Sequence, residues 1–178
     1  MLVLIPAHNE EASIGNALNA LLAQTRVPDR IVVLADNCTD KTEQVARRFR
    51  GVTVMRTVGN TDRKVGALNQ GWRRWQAGYD YVAGIDADTI LAPDCLQLLE
   101  TELAVTPRSG GVMARYTFGQ RLGASPMARL LIRLQRLEFA SWTADALRRN
   151  RKTYVLITAL QTLMMVARIL RPSRGLRP

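Results

Sequence analysis

The stretch "IVVLADNCTDKTEQVARRFRGVTVMRT", residues 31–57, contains a complete strand–helix–strand unit. "IVVLAD" (31–36) is a short, continuous apolar run rich in β-branched residues, as expected of a strand buried on both faces. In "NCTDKTEQVARRF", Asp40 and Glu43 have the spacing of a capping box, which predicts a helix at about 41–50. Gly51 stops that helix, and "VTVMRT" (52–57) is the next strand. Two buried strands joined through a helix form the parallel βαβ unit.

The alternation continues on both sides. "LVLIP" (2–6) is an apolar run stopped by proline, and reads as the first strand. In "NEEASIGNALNALLAQT", Ile14, Ala17, Leu18, Leu21 and Leu22 recur at helical spacing. Asn9 is its expected N-cap, with Glu10 and Glu11 in a first turn whose dipole favours acids. "VPDR" is a turn. "VGNTDRKVGALNQGWRRWQAG" passes from loop to helix and stops at Gly78. "YDYVAGID" is the fourth strand, 93–105 a helix with proline at its start, and "GGVMARYTF" (110–118) a fifth strand.

This pattern predicts an α/β fold, a mostly parallel sheet with helices on both faces. Ligands of such sheets bind at the carboxyl ends of the strands, where the strand order reverses. The polar clusters fall at those ends: His8-Asn9-Glu10, Asp36-Asn37, and Asp86 with Asp88.

Composition divides the chain. Its 178 residues suit one ordinary domain with an appendage, and two cysteines with one histidine exclude a disulfide framework and the usual zinc patterns. Cys38 and Cys95 are expected to be buried or half-buried thiols in a reducing compartment. Residues 1–107 carry 11 Lys+Arg against 13 Asp+Glu, whereas residues 108–178 carry 14 against 2. All of the net charge of +10 therefore belongs to the second part, which suggests an anionic partner there. The expected division is a globular domain over 1–120 and a basic, mainly helical tail over 121–178.

Within the tail, residues 127–140 form a basic amphipathic segment, with Leu130, Leu131, Leu134 and Leu137 beside Arg129, Arg133 and Arg136. Residues 153–167 carry no charge, but this is shorter than the roughly 20 residues needed to cross a bilayer. They read as a buried or interfacial helix, or as strand and helix in sequence. Met1 is followed at once by the first strand, so a signal peptide is not expected. The expected location is the cytoplasm, at the inner face of the membrane.

The chemistry turns on "GIDAD" (84–88). In an extended chain Asp86 and Asp88 share a face, and two carboxylates that close repel unless a positive group lies between them. A hard divalent cation held together with the phosphates of a nucleotide would supply it. The structural alternative is a strand end with two capping carboxylates. "GNTDRKVGALNQG" places Arg63 and Lys64 at the entry to a helix, suited to phosphate or simply to solvent. It has neither the P-loop nor the dinucleotide-binding spacing.

"VLIPAHNEEASIGNALNALLAQT", "IVVLADNCTDKTEQVA", "RKVGALNQG" and "YVAGIDADTILAPDCLQLLE", in that order, resemble the family 2 glycosyltransferases of GT-A fold. With "LQRLEFASW" the resemblance runs from residue 2 to about 145. It implies transfer of a sugar from a nucleoside diphosphate donor, UDP above all, with inversion and a Mg²⁺ or Mn²⁺ ion. By motif, Pro6, Ala7, Asn9 and Glu10 would line the nucleoside site, and Asp36 would hydrogen-bond the base. Lys64 would lie near the diphosphate, Asp86 would meet the ribose or sugar, and Asp88 would bind the metal. His8 receives no catalytic role.

The resemblance also sets a departure. Family members place their general base, usually an aspartate of an E-D pair, well beyond the segment matching "LQRLEFA". No such pair follows here, and Asp145 is the one late aspartate. The expectation is a C-terminally truncated enzyme whose catalytic base is absent, acting on a saccharide or lipid-linked acceptor. Loss of a base costs about 10²–10⁴-fold in rate, so donor binding would survive better than transfer. The alternative is a catalytically incomplete donor-binding or membrane-surface interaction module, its basic tail making peripheral membrane contact. Nucleic acid is not an expected partner, because aromatics are sparse among the 14 basic residues of the second part.

Overall fold

The computed structural model describes residues 1–106 and 110–114, together with the backbone of 165–168. Apart from Ala114, the described residues belong to one compact unit. In chain order the elements are β1 (Leu2–Ala7), α1 (Ile14–Leu22), β2 (Arg30–Ala35), α2 (Thr42–Ala46) and β3 (Val52–Arg56). There follow α3 (Arg63–Trp75), β4 (Tyr81–Gly84), α4 (Cys95–Val105), β5 (Gly111–Met113) and β6 (Met165–Arg168).

The sheet runs in the order β3-β2-β1-β4-β6-β5. β1 pairs in parallel with β2, Leu4 opposite Val32, and with β4, Leu4 opposite Gly84; β2 pairs in parallel with β3. The chain thus builds outward from β1 to β3, then crosses back to place β4 on the other side of β1. The order reverses between β1 and β4, and a ligand crevice opens at such a point.

Handedness assigns the helices to faces. Right-handed crossovers put α1 and α2, which lead outward, on one face, and α3, which leads back, on the other. On the α3 side Leu2, Leu4, Val32 and Leu34 pack with Ala67, joined by Met55, Leu68, Trp72, Trp75, Tyr79 and Val82. The alternate residues Val3, Ile5, Ile31 and Val33 are equally buried, as a strand covered on both faces requires. Gly71 lets α3 approach closely: a Cβ there would lie 2.7 Å from Leu34 Cδ1.

Two expectations need correction. α1 begins at Ile14 rather than near residue 10, because the Glu10 carbonyl accepts from Ser13 N and Ile14 N and closes a separate turn first. Asn9 therefore does not cap α1, and Glu10 and Glu11 are not in its first turn. α2 is shorter than 41–50, and its capping box is half formed. Asp40 Oδ1 accepts from Thr42 N at 2.9 Å, but Glu43 turns to Arg47 and Arg56 instead of back to the cap.

The sheet is mostly parallel, as expected, and takes in one strand from late in the chain. Residues 165–168, in and just past the uncharged run, form β6, a strand antiparallel to both β4 and β5. The sheet therefore draws on residues from both parts of the sequence. The amphipathic segment 127–140 and the remainder of the tail lie outside the described residues. Among the described residues, no helix is long and apolar enough to cross a membrane.

Gly51 and Gly78, the two expected helix stops, have φ of +86° and +93°, conformations that a Cβ disfavours. Gln24, 3% exposed, joins the end of α1 to the start of α4. Its Nε2 donates to Ala20 O and Ala92 O, and its Oε1 accepts from Leu96 N.

Candidate functional site

The loops that leave β1 and β2 are bonded to each other side by side. Asn9 Oδ1 accepts from Thr39 N at 2.8 Å, Thr39 Oγ1 at 3.2 Å and Asp40 N at 3.4 Å. Glu10 N donates to Thr42 Oγ1, Glu11 N donates to Asp40 Oδ2, and Lys41 N donates to Glu11 Oε2. His8 Nδ1 lies 2.7 Å from Asp36 O, and the Cys38 thiol donates to Ala7 O at 3.3 Å. Asn9 and Asn37 take positive φ, 56° and 49°, which asparagine tolerates better than most residues. The result is a braced double loop in which a cap expected for α1 instead serves the loop after β2.

The Asp40 carboxyl lies below its ordinary range. Partial burial pushes it upward, but the Thr42 hydroxyl, the Thr42 amide and the Glu11 amide outweigh that by bonding the anion.

Asp36 lies just beyond β2 and is 6% exposed. Its backbone N–H donates to Ala7 O at 2.8 Å, extending the β1–β2 ladder by one bond. Its side chain is held through one oxygen. Oδ1 accepts from Thr57 Oγ1 at 2.6 Å, Asn60 Nδ2 at 2.7 Å and Asn37 Nδ2 at 3.3 Å. Among the described residues, Oδ2 takes none of these bonds. A buried carboxylate with one saturated and one open oxygen is an acceptor fixed in direction.

The loop from β3 to α3 is pinned at several points. Val58 N donates to Gln70 Oε1 and Gln70 Nε2 donates to Val58 O, at 2.9 and 3.0 Å. Asn60 Nδ2 also donates to Arg63 O at 2.8 Å, and Asn60 Oδ1 accepts from Asp62 N. One residue into α3, Lys64 Nζ pairs with Asp86 Oδ1.

Lys64 gives Asp86 a positive partner, and it arrives from another element. The same-face argument for Asp86 and Asp88 does not hold, because β4 ends at Gly84 and Asp86 O accepts from Thr89 N at 3.1 Å. The chain turns at 86–89 instead of staying extended. Asp86, with its side chain 14% exposed, is tied to Lys64, while Asp88 is exposed and makes no recorded bond among the described residues.

The remaining sequence-predicted residues occupy the same edge. Pro6 and Ala7 close β1 opposite Leu34 and Ala35, half-buried and buried respectively. The Glu10 carboxylate accepts from the Ser13 hydroxyl. Arg63, the other loop cation, is exposed with φ of 50°. Sequence reasoning missed Thr57, Asn60 and Gln70. The signal was local: "GNTD" contains an asparagine able to close an Asx turn next to a positive-φ glycine.

Both cysteines are free and half-buried; burial first, then nearby Asp94, pushes the Cys95 thiol up, which disfavours its thiolate. Among the described residues, no group of three or more His, Cys, Asp or Glu could hold a metal ion unaided.

The chain is similar to known proteins. The 4,4'-diaponeurosporenoate glycosyltransferase of Staphylococcus aureus is 35% identical over 113 residues, covering 61% of this chain. The chain spans only 29% of the length of that relative. Among solved structures, S. aureus TarS 1–349 in complex with UDP matches with a TM-score of 0.54 and 24% identity, over 70% of this chain and 37% of TarS 1–349. Glucosyl-3-phosphoglycerate synthase from Mycobacterium tuberculosis, in complex with Mn²⁺, UDP and phosphoglyceric acid, matches with a TM-score of 0.53 and 23% identity. That match covers 94% of this chain and 55% of the synthase. These structures share its sheet and helix arrangement. The family described as "Glycosyl transferase family 2" matches residues 2–168, and with that span the chain belongs to the family 2 glycosyltransferases.

Proposed function

We propose that this chain binds a nucleoside diphosphate sugar at the carboxyl ends of β1, β2 and β4, as the donor side of an inverting sugar transfer. The observation that carries the reading is the placement of two anchors at either end of one loop, residues 57–64. At one end Asp36 presents an open, directed acceptor oxygen; at the other Lys64 pairs with Asp86 at the start of a helix. A nucleotide base offers N–H donors, and a diphosphate offers negative charge that a lysine and a helix N-terminus attract.

In this reading Asp36 accepts from the base, and Pro6, Ala7, Asn9 and Glu10 line the nucleoside. Lys64 turns toward the diphosphate, which releases Asp86 for the ribose or sugar hydroxyls. UDP is the proposed carrier, supported by the UDP complexes of the two structural relatives.

Asp88 is the proposed ligand of a Mg²⁺ or Mn²⁺ ion. Its exposed carboxylate fits a hard cation, and as no larger carboxylate cluster lies beside it among the described residues, the remaining ligands would come from phosphate oxygens and water. Such an ion neutralises the charge that builds on a departing diphosphate. The acceptor is proposed to be a saccharide or lipid-linked molecule. No residue of the described site is assigned as its general base, so transfer is a proposal for the whole protein and donor binding for this chain.

The test is calorimetry with UDP, UDP-sugars and GDP-sugars, with and without Mg²⁺ or Mn²⁺. The expected result is metal-enhanced binding of UDP ligands that loses its metal dependence in Asp88→Ala. No binding by the wild-type chain, or metal-dependent binding unchanged by Asp88→Ala, overturns the assignment.

A second reading is favoured by one observation, the 14 Lys+Arg against 2 Asp+Glu in residues 108–178. Under it the chain is a module docked on an anionic membrane at the cytoplasmic face. Flotation with phosphatidylserine vesicles separates the two: the module reading requires co-flotation that disappears when Arg129, Arg133 and Arg136 are all replaced by glutamine.

A further inference from the structure

The donor-site reading leaves Asn60 without a part, yet it bonds to Asp36, Asn37, Asp62 and Arg63. Its Nδ2 donates to Asp36 Oδ1 at 2.7 Å and to Arg63 O at 2.8 Å. Its Oδ1 accepts from Asp62 N at 3.1 Å, and its backbone carbonyl accepts from Asn37 Nδ2 at 3.1 Å. One residue thus touches the buried carboxylate after β2, the loop beside it, and the first turn of the helix that carries Lys64.

The space for this contact is specific. A Cβ on Gly66 would lie 1.8 Å from Asn60 Oδ1 and 2.8 Å from Asn60 Cγ, so only glycine at 66 lets Asn60 sit where it does. Thr57 assists from the end of β3, its hydroxyl donating to the same Asp36 oxygen at 2.6 Å. Gln70 holds the loop from behind through both polar groups of Val58.

We propose that Asn60, with Thr57, is a positioning residue that determines which nucleobase the site accepts and links that choice to the diphosphate end. The inference rests on the donor-site reading. With Oδ1 of Asp36 saturated by Asn60, Thr57 and Asn37, only Oδ2 is left to meet the base, and it is an acceptor alone. A pyrimidine with an N–H at ring position 3, such as uracil, satisfies it. Cytosine presents a lone pair at that position and leaves two acceptors facing each other, a mismatch that costs heavily in a buried site. Without Asn60 the carboxylate is free to rotate and to recruit water, and the distinction between the two bases fades. The bond from Asn60 to Arg63 O places the residue preceding Lys64, so the phosphate end loosens in the same variant.

The experiment measures binding of UDP, CDP and inorganic diphosphate to the full 178-residue chain and to single variants. In Asn60→Ala the UDP-to-CDP affinity ratio is expected to fall about ten-fold or more, the worth of one hydrogen bond to a charged group, and diphosphate to bind more weakly. Thr57→Val should lower the ratio and Thr57→Ser should restore it. Lys64→Ala should weaken UDP and CDP equally and leave the ratio intact, since it touches only the phosphate end. Asn60→Asp, which keeps shape but replaces the donor with an acceptor, covers the case in which Asn60→Ala does not fold. A UDP-to-CDP ratio unchanged in a folded Asn60 variant overturns the inference while leaving the donor site standing. A wild-type chain that binds no UDP overturns the donor site, and this inference with it.

Discussion

Lys64, in the first turn of α3, and Asp86, two residues past β4, are 22 residues apart in sequence and form an ion pair at the switch point of the sheet. The Lys64 side chain is 43% exposed, so the pair adds little to stability, about 0–1 kcal/mol as is usual for exposed pairs. Lys64→Ala and Asp86→Asn should therefore shift the urea midpoint only slightly. Lys64→Ala should weaken UDP far more than uridine, because that change falls at the phosphate end, whereas Asp86→Asn, at the ribose or sugar hydroxyls, should weaken the UDP-sugar. A large loss of stability with unchanged UDP affinity would make the pair structural only.

Gly66 and Gly71 should each resist alanine, against the usual preference of helices. Alanine in a helix interior is ordinarily favoured over glycine by about 1 kcal/mol. At Gly71 the added methyl meets Leu34 Cδ1 at 2.7 Å and Cδ2 at 2.8 Å, within the packed core, so a net destabilisation of about 1–3 kcal/mol is expected. At Gly66 it meets Asn60, which is less deeply placed, and the cost should show mainly as weaker nucleotide binding. Thermal melts and calorimetry on the two variants distinguish the cases.

Asn9 combines a positive φ with a side chain that accepts three bonds from the loop after β2. Asn9→Gly keeps the conformation and loses the bonds, whereas Asn9→Ala loses both. The alanine variant should be less stable than the glycine variant by about 1 kcal/mol, the cost of a Cβ in the left-handed region. Equal melting temperatures for the two would remove backbone conformation from the account.

Glu43, like Asp40, is a carboxyl held below its ordinary range beside β2 and β3. The Arg56 guanidinium, bonded at 2.6 Å, holds its carboxyl below the ordinary 4.5; partial burial opposes this and Arg47 assists. A carboxyl depressed in the folded state contributes stability that is present above its unfolded value and is lost as pH falls through the folded one. The wild-type chain should therefore lose stability as pH drops below about 4.5, and Glu43→Gln should lose less over the same interval. Melting temperatures at successive acidic pH values test this. Parallel curves for the two chains would show that the pairing carries no pH dependence.

Much of this architecture was legible in the sequence because its signals are local. Apolar runs bounded by Gly, Pro and turn residues located β1 to β4, Gly78 marked the stop after α3, and the proline at 93 placed α4 to within two residues. Where two elements compete for one residue the reading failed. Asn9 has the chemistry of an N-cap and sits before a helical pattern, yet its acceptor is used by amides 30 and 31 residues away. Glu43 completes a capping box by spacing but is drawn off by Arg56, 13 residues on. The aspartate pair illustrates the same limit, since extended geometry was assumed for a segment that turns at Asp86.

The sequence by itself determined the family, the run of alternating strands and helices, and the strand ends at which polar residues collect. Each of these depends on residue type and short spacing, and hydrophobic burial enforces them wherever the chain folds. Only the tertiary structure decided that Lys64 would answer Asp86 and that β6 would enter the sheet antiparallel beside β4. Only there did Thr57 and Asn60 come to saturate one oxygen of Asp36 and leave the other open. Those outcomes depend on which strand ends the crossovers bring together and on the space a single glycine leaves, and neither is written in any short stretch of the chain.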